Sequence, residues 1–250
     1  MNNRVVLITG GGTGIGRATG LLFASEGAAV VVNYNRSQDA AAEVVRDIEA
    51  AGGCASAMRA DVGREEEVRG MMSQIESRFG GLDLLVNNAG WSQVIPHSRL
   101  EDLTDEVWDR TLNVNLRGAF YCARAAVPLL KKRPGASIVN IASAAAFHAS
   151  GSSIIYAASK AAMVSMTKSL ARALAPDIRV NAVCPGLLRT RFAGWTDEAF
   201  ENAERATPIG RMVTVEEVAE TALFLASGGT GLTGEAIVVD GGVCQLGRSR

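Results

Sequence analysis

Tyr156 and Lys160 stand four residues apart at the head of an alanine-rich stretch, Ile155 to Ala175, whose composition predicts a helix. At that spacing two side chains leave one helix face and reach one small volume. A phenol with an ordinary pKa of about 10 is a poor proton donor or acceptor at neutral pH. An ammonium about 4 Å away, at an effective dielectric of about 20, interacts by about 4 kcal/mol, enough to lower the phenol's pKa by about three units. The pair is thus a candidate for general acid–base chemistry. Taken alone, the spacing also suits a tyrosine packed along a lysine stem, so the rest of the chain must decide.

The elements that would position this pair are legible in the apolar runs. Arg4–Thr9, Ala29–Tyr34, Leu82–Asn87, Ala136–Ala142, Ile178–Cys184 and Ala236–Asp240 read as short buried strands, with Cys54–Arg59 a weaker one. Helical stretches such as Asp39–Ala51, Glu65–Phe79 and Glu216–Ala226 fall between them. Strands of this kind, each followed by a helix, imply a parallel sheet covered on both faces. The expected fold class is α/β, a doubly wound sandwich with a mainly seven-stranded parallel sheet that binds ligands at the carboxyl ends of its strands. Residues 1–250 are expected to form one domain. The stretch Leu187–Met212, with a short helical piece around Asp197–Arg205, lacks the strand–helix rhythm and is expected to be a substrate loop or lid.

Composition narrows the function. The chain is 48% hydrophobic and 20% charged, with a net charge of −1, as in soluble globular enzymes. The absence of a basic block argues against nucleic acid. No apolar run approaches the roughly 18–20 residues of a membrane span. The N-terminus enters a strand almost at once, leaving no room for a signal peptide. Cys54, Cys122, Cys184 and Cys244 are too scattered for a CxxC or zinc pattern, so no metal is expected and reduced thiols in a cytoplasmic protein are.

Directly after the first strand comes Thr9-Gly10-Gly11-Gly12-Thr13-Gly14-Ile15-Gly16, which opens a helix running from Arg17 to Glu26. Glycines in that context permit a tight turn and let backbone N–H groups approach a pyrophosphate at a helix N-terminus. The pattern is TGxxxGxG rather than GxGxxG, with Gly10, Gly14 and Gly16 as its fixed points. Together with Asn87-Asn88-Ala89-Gly90 after the fourth strand, Tyr156-x-x-x-Lys160, Thr233-Gly234 and Asp240-Gly241-Gly242, it resembles the short-chain dehydrogenase/reductase family. The resemblance covers essentially the whole chain and implies a Rossmann-type fold.

By this resemblance, Ser143 holds the substrate oxygen beside Tyr156. Asn115 completes the catalytic set through a water-linked relay with Lys160, which also binds the nicotinamide ribose. The cofactor would lie along Gly10, Gly12, Thr13, Gly14, Ile15 and Gly16, with Asp61 and Val62 at adenine. Asn88, Ala89 and Gly90 would sit near the ribose, and Pro185, Gly186 and Thr190 at the carboxamide, while Asn87 ties strands together. Asn33, Tyr34, Asn35, Arg36 and Ser37 follow the second strand with no carboxylate before Asp39. Arg36 and Ser37 suit a 2′-phosphate, so NADP(H) is expected to be preferred and NAD(H) to be possible; Thr13, where many NADP-using relatives are basic, argues the other way.

Ala145, His148, Leu187, Phe192 and Trp195 are the candidate substrate residues, with Trp91, Ala144 and Phe147 beside them and Arg189 and Arg191 as cations for an anionic substrate. The expected activity is an NADPH-dependent reduction of a ketone or 3-oxoacyl thioester. A sugar or secondary-alcohol dehydrogenase is the alternative enzyme, and a non-catalytic nucleotide-sensing protein the alternative of another class. The small residues Ala157, Ala161, Ser165 and Ser169 recur every four positions and would let another helix approach closely, which together with the resemblance implies a homotetramer.

Overall fold

The computed structural model describes residues 1–247; the last three residues of the expected domain lie outside the described part. The chain runs β1 (Val5–Ile8), α1 (Gly14–Ser25), β2 (Ala29–Tyr34), α2 (Gln38–Ala50), β3 (Cys54–Arg59), α3 (Glu65–Phe79) and β4 (Leu84–Asn87). Then α4 (Asp105–Leu112) passes through a π-turn, Asn113–Gly118, into α5 (Ala119–Leu130). β5 (Ser137–Ile141), α6 (Ala145–His148), α7 (Ile154–Leu174) and β6 (Arg179–Pro185) follow, then α8 (Asp197–Ala206), α9 (Val215–Leu223), β7 (Ala236–Val239) and α10 (Val243–Leu246).

All seven strands pair in parallel in the order β3-β2-β1-β4-β5-β6-β7. Successive side chains on a strand point to opposite faces, and both faces are covered. Val5, Leu7, Val31, Leu85, Ile138 and Val180 pack with residues of α3, α5 and α7. Val6, Ile8, Val30, Val32, Val86, Val139 and Val183 pack with residues of α1, α2 and α9. The expected doubly wound, Rossmann-type α/β fold is therefore the observed one. β1 pairs with β2 on one side and β4 on the other, and ligands bind in the crevice that opens at such a reversal of strand order.

Three expectations are refined. The weakest strand candidate, Cys54–Arg59, pairs with β2 over its whole length at the sheet edge, and its mixed exposed and buried residues reflect that edge position. α1 starts at Gly14 rather than Arg17, so three residues assigned to the glycine turn form the helix's own first turn. The helix expected to reach Ala226 leaves α geometry after Leu223 and ends in a π-turn, Phe224–Gly228. Arg179 secures that ending: its Nη1 donates to the carbonyls of Leu225 (2.8 Å) and Gly229 (3.0 Å), and its Nη2 to that of Ala226 (3.0 Å). No described helix is long and apolar enough to cross a membrane.

Candidate functional site

The glycine turn is shaped by contacts that leave no room for side chains. A Cβ on Gly16 would meet the Gly10 carbonyl at 2.5 Å and Asn88 Nδ2 at 2.6 Å. Gly10 and Gly14 have φ of +61° and +51°, the left-handed region that glycine occupies most readily. Asn88 locks the turn, its Nδ2 donating to the carbonyls of Thr9 (2.9 Å) and Gly10 (3.0 Å). Thr9 Oγ1 in turn accepts from the backbone N–H groups of Asn88 and Ala89, both at 3.0 Å. α1 begins with no capping side chain and no acidic residue in its first turn, so free N–H groups and the positive end of the helix dipole face the cleft. That donor set fits the pyrophosphate of a dinucleotide.

A cleft of about 1340 Å³ runs from this turn along the carboxyl ends of the strands. Nearly every residue expected from the sequence to touch cofactor or substrate lines it. The exceptions are Gly16, Asn115 and Phe147. Gly16 lies beneath the turn and keeps it closed against Asn88. Phe147 is 51% exposed on the outer surface. Asn115 is fully buried behind the wall, and Asn113 and Val114 line the cleft in its place.

Ser153 caps α7, its Oγ accepting from the backbone N–H of Tyr156 at 3.3 Å. Tyr156 and Lys160 then project from one face, with Lys160 Nζ 5.8 Å from the phenol ring centroid. Lys160 is buried and donates to the carbonyl of Ile141 at 2.8 Å, at the carboxyl end of β5. Ser143, two residues on, lies beside Tyr156; its hydroxyl accepts from Ala145 N at 3.2 Å and reaches the Pro185 carbonyl at 3.5 Å.

The electrostatics reverse the expectation drawn from spacing. Burial pushes the Tyr156 phenol up to about 12, opposed by the hydrogen bond with Ser143. Burial pulls the Lys160 ammonium down to about 8. Desolvation disfavours both charged forms and is the largest influence on each. Cys184 lies close enough to influence both groups.

Asn115 was expected to join a relay with Lys160. Its side chain bonds directly to two neighbours: Oδ1 accepts from Trp91 N at 2.7 Å, while Nδ2 donates to the Trp91 carbonyl at 3.0 Å and to Ser159 Oγ at 3.1 Å. Asn33 is similarly committed. Its Nδ2 donates to the carbonyls of Met58 and Ala60 and its Oδ1 accepts from Gly10 N, so it braces the turn against β3. Tyr34, Asn35, Arg36 and Ser37 line the cleft beyond it, joined by Glu43 and Arg17, which the sequence had not singled out. At Asp61, Oδ1 accepts from Gly63 N at 2.9 Å, holding the loop after β3. Gly186 packs closely on Asp240, where an added Cβ would come within 2.9 Å of the aspartate Cβ.

The other end of the cleft is bounded by Ala145, His148, Leu187, Phe192 and Trp195. The Phe192 ring lies 5.9 Å from that of Tyr156 and next to Gly90. His148 Nδ1 pairs with Ser150 Oγ at 2.6 Å. Arg189 is drawn off by Asp197 (3.5 Å) and Glu204 (3.9 Å). Arg110, stacked 4.4 Å above the Trp91 ring, also lines this cleft, and no motif in the sequence marks it. A phenol, a hydroxyl and an ammonium facing one volume can bind a carbonyl or alcohol oxygen and exchange a proton with it.

Comparison with known proteins agrees with this arrangement. A family model described as enoyl-(acyl carrier protein) reductase matches residues 10–244. The 3-oxoacyl-(acyl-carrier-protein) reductase FabG of Thermotoga maritima is 37% identical over 246 residues, 97% of this chain and 98% of that protein. Among solved structures, a short-chain dehydrogenase/reductase of Serratia marcescens carrying two Phe-to-Leu changes is 35% identical with a TM-score of 0.90, covering 97% of this chain and 98% of its own. A 7α-hydroxysteroid dehydrogenase complexed with NADH and 7-oxo glycochenodeoxycholic acid is 33% identical with a TM-score of 0.89, covering 96% and 94%. The chain belongs to the short-chain dehydrogenase/reductase family of oxidoreductases.

Proposed function

We propose that this oxidoreductase is an NADP(H)-preferring reductase of a ketone of the 3-oxoacyl thioester type, with Ser143, Tyr156 and Lys160 as its catalytic groups. The observation that carries the reading is the convergence of these three side chains beside Gly90 and Gly186, in one cleft with the uncapped start of α1. When bound, the nicotinamide cofactor supplies the hydride. Tyr156, a neutral phenol at physiological pH, gives its proton to the substrate oxygen, and Ser143 donates a hydrogen bond as that oxygen gains charge. Lys160, still protonated near pH 7, stabilises the phenolate left behind. Asn115 acts as a positioning residue, fixing Trp91 and Ser159. The segment 187–212 forms the substrate side of the cleft. The 3-oxoacyl assignment draws on the Thermotoga relative, and the mainly apolar lining supports it.

Tyr156→Phe tests the reading. NADPH-dependent reduction of a 3-oxoacyl thioester should fall by at least about 10²-fold, the usual span of one general acid, while cofactor binding persists. Turnover within a few-fold of the parent would sink it. Exposed Arg36 and Ser37 in the cleft support the NADP(H) preference, and Glu43 in the same wall opposes it. A kcat/KM ratio for NADPH over NADH at or below one would overturn that preference.

For assembly, we infer a homotetramer, because Ala161, Ser165 and Ser169 on α7 and Trp108 and Phe120 on α4 and α5 are exposed. Four unpaired cysteines are in keeping with a cytoplasmic setting.

A further inference from the structure

We propose that Arg110, held on Trp91, recognises an anionic group, carboxylate or phosphate, carried by the carbonyl substrate away from its reacting carbon. The proposal rests on the reductase reading above and names a feature of its substrate class.

Three observations carry it. First, Arg110 and Trp91 line the same cleft as Tyr156 and Ser143. Second, the charge is uncommitted. Among the described residues no carboxylate lies within salt-bridge distance of Arg110, not even Glu106 one turn earlier on α4, and its guanidinium donates no hydrogen bond. Of the other arginines lining the cleft, Arg17 is paired with Asp47 at 2.7 Å and Arg189 is shared between Asp197 and Glu204, while Arg36 and Arg191, also without a carboxylate partner, are exposed to solvent where Arg110 is half-buried. A half-buried guanidinium with all its donors free is unusual, because such forks normally find an oxyanion.

Third, the group is held in place. Trp91 is pinned through both its backbone N–H and its carbonyl by Asn115, and it packs against the cluster of Ile95, Val107 and Ile155. Stacking on that ring fixes the plane of the guanidinium before any ligand arrives, which lowers the ordering cost of binding.

Location favours the substrate over the cofactor as the source of the anion. The cofactor's phosphates already have candidate partners in the start of α1 and in Arg36 and Ser37. Trp91 directly follows Gly90, whose nearest side-chain neighbours are Asn115 and Phe192, and Phe192 contacts the Tyr156 ring.

The test uses Arg110→Met, which keeps a stem on Trp91, together with Arg110→Lys as the conservative control. Each is assayed with saturating NADPH on two pairs: acetoacetyl-CoA against the acetoacetyl thioester of N-acetylcysteamine, and acetoacetate against methyl acetoacetate. Loss of a charge-assisted hydrogen bond corresponds to about tenfold in affinity or more. Arg110→Met should therefore raise KM about tenfold more for the charged member of a pair than for the neutral one, with partial recovery in Arg110→Lys. A differential confined to the CoA pair identifies a phosphate, and one confined to the acetoacetate pair a carboxylate. An equal change in both members, or a matching loss of NADPH affinity measured by fluorescence titration, overturns the proposal and leaves the reductase reading standing. A parent protein that reduces none of the four compounds removes that reading and the proposal with it.

Discussion

At the scale of single residues, burial governs the Tyr156–Lys160 pair. The phenol is raised to about 12 and the ammonium lowered to about 8, so near pH 7 both hold their protons. A protonated phenol is a donor, which suits reduction better than oxidation. As pH rises, Lys160 releases its proton first and the positive charge that supports the phenolate is lost while Tyr156 is still neutral. The kcat/KM for NADPH, which reports groups of the free enzyme, should accordingly hold steady below about pH 8 and decline as pH rises through it. A profile that instead rises through this range would show that tyrosine ionisation limits the reaction. The opposite expectation from sequence had a clear origin: spacing reports distance along a helix, and desolvation depends on everything packed around that helix.

Among the elements, the turn joining β1 to α1 depends on absent side chains. Gly16→Ala places a methyl group 2.5 Å from the Gly10 carbonyl, so the turn must open and its N–H groups splay. Fluorescence titration should find NADPH binding weakened by about tenfold or more, the scale of one lost charge-assisted hydrogen bond; unaltered binding would mean that the turn does not hold the pyrophosphate. Local features of this kind were legible in advance. Glycine spacing, β-branched runs and the Tyr-x-x-x-Lys interval each depend on neighbours in the chain, and they placed the sheet and most of the cleft. Features made by tertiary packing were not. The π-turn at Asn113–Gly118 changes the helical register, with Asn115 behind the wall and Asn113 on it. Arg110 carries no motif at all, and only the fold brings it over Trp91.

For the molecule as a whole, the exposed row of Ala161, Ser165 and Ser169 on α7 remains uncovered by any helix of the same chain. Small residues let two helices approach closely, so Ser165→Arg should shift the assembly toward smaller species by light scattering at micromolar concentration. An unchanged mass would move the interface elsewhere, and a monomeric parent would remove it. The strand order has a further consequence for how the protein is made. β1, β2 and β3 leave the ribosome in succession, but the other partner of β1 is β4, which begins more than seventy residues after β1 ends. Until β4 arrives, one side of β1 presents unpaired backbone N–H and C=O groups, the kind of open edge on which nascent chains pair wrongly. The interval between synthesis of Ile8 and of Asn87 is therefore the period in which this protein most needs protection from its neighbours.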